Sequence, residues 1–213
     1  GLTGLFFILG RSPEDGLAFV HQVQYLTAQL GEDEFRLQFL NACDSATRQL
    51  FAEKEKECLA AYPTSKYDSL QFRTFKRVIG KFMFSEARPV ITQLFETHID
   101  DSTSFGKKLY LSDGDVRLLV AQGMHIGGHS VLHRWMTSLL PHEREDEIRK
   151  TKECLQKFGD GPYAFSYPYG DYDEVLFPVL KKHQFKAAFC GKEKIEHERK
   201  FAIGRLDTNS LPQ

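Results

Sequence analysis

Three observations predict an α/β fold for this chain. An apolar, aromatic run at residues 3–9 leads straight into a helix start at Ser12. Between residues 112 and 189, caps and glycine stops divide the sequence into alternating helices and short apolar strands. His129 and His133 then fall just beyond one of those strands, where α/β folds and barrels carry their active-site loops.

With 213 residues, including 18 phenylalanines and 8 tyrosines, the chain can bury a substantial core, and residues 1–213 read as one domain. A formal net charge of −1 gives no general argument for a nucleic-acid or membrane partner. Cys43, Cys58, Cys154 and Cys190 form no CxxC pair and read as buried thiols, which leans the localisation towards the cytoplasm. No apolar stretch is long enough to span a bilayer. Residues 1–9 are too short for a span and lack the basic leader of a signal peptide. A chain opening directly in a core strand is expected to have lost its beginning, and any targeting signal with it.

The elements follow in order. Residues 3–9 read as a buried strand. Ser12, Pro13 and Asp15 supply a cap, a first-turn proline and a first-turn acid for a helix running to Leu30 and ending at Gly31. Residues 33–62 read as helical, with a break near Asn41 or Asp44, and further helices are expected over 69–84 and 87–98. The stretch 33–98 is taken as a helical elaboration of the domain. Ser112 and Asp115 predict a capping box for a helix over 113–122, followed by a strand at 124–127. Pro141 opens a helix to Phe158 with Ile148, Thr151, Leu155 and Phe158 near one face. Strands are expected at 163–167 and 185–189, a helix at 173–183, and a short last strand within 201–207.

The chemistry centres on the sequence HIGGHSVLH at residues 125–133. Two imidazoles four residues apart can face one divalent ion if the chain between them coils through about one turn. A third ligand must come from elsewhere. His125 reads as a strand residue or an outer partner ahead of a ligand.

With Tyr167, Pro168, Tyr169 and Gly170 following downstream, the chain resembles the polysaccharide deacetylase family, also called NodB-homology or family 4 carbohydrate esterases. The resemblance is strongest over residues 110–189, and the segment before Leu109 is similar to insertions in members of bacterial surface-polysaccharide biosynthesis. It implies a distorted, incomplete (β/α) barrel of about seven strands, with a helical insertion and the first strand lying upstream. It also implies a metal-dependent hydrolase that removes acetyl groups from an N-acetylated sugar or polysaccharide. His129 and His133 would be metal ligands, with Ser130 as the small structural hydroxyl between them. The Tyr169 backbone would donate to the oxyanion, and Trp135, Tyr167, Pro168 and Tyr169 are candidates for the substrate groove. Zinc is the first choice of ion, with cobalt or nickel as alternatives. The family's paired aspartates, which act as general base and third ligand, are expected upstream of Gly1. The arginine that usually opens the later motif is replaced by Ser166, and Arg134 stands where a proline often follows the second ligand. No leucine–x–histidine motif follows Leu206, so the general acid stays unassigned.

Two other functions remain open on the sequence: a silent member that binds saccharide or a partner, and a same-fold hydrolase of a non-sugar amide. His197 has nothing in its spacing to recommend it as the acid. Arg205 and Asp207 read as an ion pair at the barrel end. The run from Glu143 to Glu147 reads as a solvated first helix turn, where acids suit the helix dipole. Residues 192–200 alternate in sign and read as exposed, with no nucleic-acid patch.

Overall fold

The computed structural model describes residues 1–59, 68–191 and 199–205. His197, Leu206 and Asp207 lie outside them, as does the expected pairing of Arg205 with Asp207. In chain order the elements are β1 (Leu5–Ile8), a 3-10 turn (Pro13–Asp15), α1 (Phe19–Leu30), α2 (Glu32–Ala42), α3 (Ser45–Leu59) and α4 (Leu70–Arg77). A π turn (Val78–Phe82), α5 (Phe84–His98), α6 (Ser102–Leu109), α7 (Asp113–Ala121), β2 (His125–Gly128) and a 3-10 turn (Met136–Ser138) follow. The chain continues through α8 (Pro141–Gln156), β3 (Ala164–Ser166), a 3-10 turn (Pro168–Gly170), α9 (Leu176–Lys182) and β4 (Ala187–Phe189). Two compact units result: Gly1–Pro13 with Tyr110–Gln213, and Glu14–Leu109. No helix among the described residues is long and apolar enough to cross a membrane.

The first unit is an α/β fold on a four-stranded parallel sheet in the order β1-β2-β3-β4, an open, distorted form of the (β/α) barrel. The resemblance implied about seven strands; four form the described sheet, and the expected last strand is a single parallel bridge from Ile203 to Phe189. Side chains alternate across the strands. Ile126, Phe165 and Ala188 enter a core with Ile148 and Leu155 of α8 and Leu176 and Leu180 of α9. Burying each large apolar side chain contributes about 2 kcal/mol. On the other face Phe7 meets Phe189 edge-on, ring centroids 5.5 Å apart. Gly127 makes room for that contact, because a Cβ there would lie 2.7 Å from the Phe7 ring.

Most element boundaries follow local chemistry. Ser112 and Asp115 form the predicted reciprocal cap of α7. The helix expected from Ser12 to Leu30 is instead a 3-10 turn followed by α1, because Gly16 between them has φ +82. The break expected near Asp44 occurs there, where its carboxylate accepts from Thr47 N at 2.7 Å. α9 starts at Leu176 rather than 173, because the bonds from Leu176 N to Asp173 O and from Phe177 N to Glu174 O close tighter turns ahead of it. α6 was not anticipated, although Asp101 accepts from Ser104 N at 2.7 Å as a helix cap does.

The second unit is helical. Phe35, Phe39, Phe51, Phe72 and Phe75 form its aromatic centre, mostly in edge-on and tilted pairs. A buried polar node lies apart from it: Gln22 donates to Leu17 O and Ser102 Oγ and accepts from Thr92 Oγ1.

Candidate active site

The site forms beyond the carboxyl ends of β1, β2 and β3. His129 N donates to Ile8 O at 2.9 Å, and Gly10 N donates to Ser130 O at 2.7 Å, so the chain leaving β2 stays fastened to the chain leaving β1. The backbone then turns sharply rather than coiling into a helix. Ser130 and His133 both have left-handed backbones, φ 56 and 54. Such a conformation costs a non-glycine residue about 1–2 kcal/mol. The Ser130 hydroxyl, fully buried, accepts from His133 N at 3.0 Å and closes the turn.

The turn brings the two imidazoles together, ring centroids 4.7 Å apart and planes at 81°. His129 Nδ1 lies 2.7 Å from Ser166 O. A carbonyl can only accept, so Nδ1 carries a proton, and in the neutral ring the lone pair is on Nε2. That is the arrangement in which a metal-binding histidine is held by a backbone carbonyl. Among the described residues, no group of three or more histidine, cysteine, aspartate or glutamate side chains is arranged to hold a metal. The two imidazoles therefore fit part of a ligand set. His125 opens β2 at the end opposite His129 and is exposed, which removes it from the pair.

Tyr169 comes in from the β3 side. Its backbone is left-handed, φ 58 and ψ 8. The turn's own bonds are donated by Gly170 to Tyr167 O and by Asp171 to Pro168 O, so the Tyr169 N–H stands outside them. Gly170, φ +66, packs backbone to backbone against Gly191; a Cβ there would lie 2.6 Å from Gly191 N. The Tyr169 ring meets His133 edge-on at 4.8 Å and stacks on Trp135 at 4.3 Å. Although the residue is 43% exposed, desolvation around its phenol raises the pKa well above the usual tyrosine range.

Two of the groove candidates are buried. Tyr167 is fully buried, stacks on Tyr172 and donates its hydroxyl to Phe201 O at 2.9 Å. Pro168 is buried as well. Strand alternation explains Tyr167, which shares the core-facing side of Phe165. Trp135 and Tyr169 are the groove candidates the structure leaves.

The run from Glu143 to Glu147 is also not simply a solvated turn. Glu143 accepts from Leu140 N at 2.8 Å and from Arg134 at 2.9 Å. Glu147 is 7% exposed, and its Oε2 accepts from Val131 N at 2.6 Å and Leu132 N at 3.2 Å. Its position was readable: Glu147, Thr151 and Leu155 succeed one another at four-residue spacing on the buried side of α8. Arg144 and Asp171 were also missed. Asp171 accepts from the backbone and hydroxyl of Thr137, and Arg144 binds Asp173, Leu139 O and Thr137 O. The bonds from Thr137 to Asp171 and from Arg144 to Asp173 join segments 34 and 29 residues apart, for which no local pattern exists. Ser166 is fully buried. Arg205 lies with its guanidinium carbon 5.8 Å from the centre of the Phe7 ring.

The parallel sheet thus carries paired histidines beyond β2 and a strained tyrosine turn beyond β3. The family model described as polysaccharide deacetylase matches residues 89–188, which contain the paired histidines and the tyrosine turn. Over those residues, just under half of its length, the chain is similar to the polysaccharide deacetylase family. Among solved structures it is similar to a polysaccharide deacetylase from Bacillus cereus at 22% identity and a TM-score of 0.39, over 45% of this chain and 32% of that one. It thus spans about a third of the Bacillus cereus chain. It is also similar to the Streptococcus pyogenes deacetylase PplD in complex with acetate, at 16% identity and a TM-score of 0.45, over 74% of this chain and 79% of that one. No curated protein matches the chain.

Proposed function

We propose that the protein is a metal-dependent hydrolase that removes the acetyl group from an N-acetylated sugar or polysaccharide, releasing acetate. The observation that carries this reading is His129, its Nδ1 fixed on Ser166 O and its ring set 4.7 Å from that of His133. His129 and His133 would hold a divalent ion, zinc first and cobalt or nickel as alternatives. When bound, that ion supplies a water acidified towards neutral pH and a polarised carbonyl.

The chain's own residues supply the setting. The Ser166 carbonyl keeps His129 in one tautomer and orientation. The Tyr169 N–H donates to the oxygen that gains charge as the amide carbon becomes tetrahedral, the stage at which a fixed donor helps most. Trp135 and Tyr169 form an aromatic wall against which a sugar ring can lie. Among the described residues the four cysteines form no disulfide, which fits a reducing compartment, and we place the protein in the cytoplasm.

The test uses the natural polypeptide with Zn²⁺ and a panel of N-acetylated oligosaccharides, reading acetate release and zinc affinity. His129→Ala and His133→Ala should each abolish both. Zinc-independent binding of saccharide, unchanged in the two variants and without acetate release, would establish a binding protein instead. Zinc-dependent cleavage of a non-sugar amide in preference would move the substrate class.

A further inference from the structure

We infer that Glu147 is a positioning residue that sets the geometry of the two histidines, an inference that rests on the reading of His129 and His133 as metal ligands. Glu147 touches neither imidazole. Its Oε2 accepts from the backbone N–H groups of Val131 and Leu132, which sit between the two histidines. A carboxylate nine-tenths removed from water is tolerated only with strong donors, and two consecutive peptide N–H groups supply them. Among the described residues Glu147 forms no salt bridge, so its charge is directed at the turn rather than at a cation.

The anchor is as firm as its load is strained. One turn further along α8, Thr151 is fully buried and donates its hydroxyl to Glu147 O at 2.6 Å. A Cβ at Gly10 would lie 2.6 Å from the Thr151 Cα, and one at Gly128 would lie 2.2 Å from its Cγ2. These two glycines let α8 press onto the chain just beyond β1 and at the end of β2. The carboxylate is thereby fixed relative to the residues that lead into His129. The turn it holds contains two left-handed residues, Ser130 and His133, each of which would relax if released. Relaxation at either would rotate an imidazole away from its neighbour.

The two bonds share one oxygen, so an amide carbonyl can replace the carboxylate as acceptor. This separates hydrogen-bond positioning from a through-space effect of charge. The experiment measures Zn²⁺ affinity by calorimetry, together with metal-free amide exchange at Val131 and Leu132. Glu147→Gln should keep zinc affinity within about threefold and keep both amides protected. Glu147→Leu, of similar bulk but without an acceptor, should weaken zinc about 10- to 100-fold and expose both amides. Glu147→Asp keeps the charge but falls short of the turn, and should weaken zinc about tenfold; it also serves if the leucine variant does not fold. Leu155→Ala, two turns further along the same buried row, should lower thermal stability while leaving zinc affinity unchanged.

Equal zinc affinity in the wild type, Glu147→Leu and Glu147→Asp proteins would overturn the inference. So would a loss in Glu147→Gln as large as in Glu147→Leu, which would assign the effect to charge. Zinc binding that survives His129→Ala would refute the ligand reading itself, and amide exchange would still report whether Glu147 holds the turn.

Discussion

Trp135 and Tyr169 lie face to face, ring centroids 4.3 Å apart and planes within 6° of parallel. The stack is held by bonds set at the same offset on both sides. Asp171, two residues after Tyr169, accepts from the backbone N–H of Thr137, two residues after Trp135, at 2.8 Å. The Thr137 hydroxyl donates to the same carboxylate at 2.7 Å. Arg144 then ties the Thr137 carbonyl to Asp173. The stacked rings are thus the visible end of a polar stitch between the turn after β2 and the turn after β3.

Asp171→Ala should therefore disturb the aromatic wall and leave His129 and His133 in place. The expected result is a rise in KM for saccharide of about tenfold, the scale of one lost interaction of 1.4 kcal/mol. Zinc affinity should not change. A red shift of the Trp135 fluorescence, the chain's one tryptophan, should accompany it. Unchanged KM and fluorescence would show that the stack stands without its stitch.

Tyr167→Phe tests whether Tyr167 serves the core or the groove. The hydroxyl is buried and donates to Phe201 O, and burial pushes its pKa well above the usual range. Removing it leaves a buried carbonyl unmatched, at a cost of about 1–2 kcal/mol. In a chain of this size the melting temperature should fall about 2–8 °C. KM for saccharide should stay constant; a rise in KM with no change in stability would return Tyr167 to the groove.

How much of this was legible follows from the range of the interactions. The Ser112 cap, the Asp44 break and the strand ahead of His129 depend on neighbours within about four residues, and sequence patterns carry them. The pairing of His129 with His133 was legible for the same reason, though it is made by a tight turn with Ser130 and His133 left-handed, which spacing does not encode. The clamp from Glu147 to Val131 spans 16 residues and the stitch from Asp171 to Thr137 spans 34. Charged residues in a first helix turn look solvated by composition. Burial of Glu147 becomes visible only when its row on α8 is traced to Thr151 and Leu155.

Gly170→Ala addresses the turn that presents Tyr169. An added Cβ would lie 2.6 Å from Gly191 N, which is backbone and cannot swing aside, and φ +66 strains any side chain. Overpacking of this kind costs about 1–3 kcal/mol. Because the shift falls beside Tyr169, acetate release should drop through kcat more than through KM, as expected for a donor that acts in the transition state. A stable variant with wild-type kcat would argue against the Tyr169 N–H as the oxyanion donor.

Glu143 gives the site's support a pH dependence. The Leu140 N–H, and then Arg134, hold its carboxyl below the usual glutamate range in spite of partial desolvation. A pKa lower in the folded than in the unfolded state means that the folded protein prefers the ionised form. That stability is present above the unfolded value of about 4.3 and is lost as pH falls through the folded value. Glu143→Gln keeps an acceptor for Leu140 N but gives Arg134 no charge. Urea unfolding at pH 7 should show the variant less stable than the wild type, and the gap should close as pH falls from about 5 to 3. Arg134 directly follows His133, so zinc affinity at pH 7 should weaken slightly in the same variant. A stability gap that stays constant across the pH range would mean that the amide loses packing, and that the carboxylate is not held below its usual range.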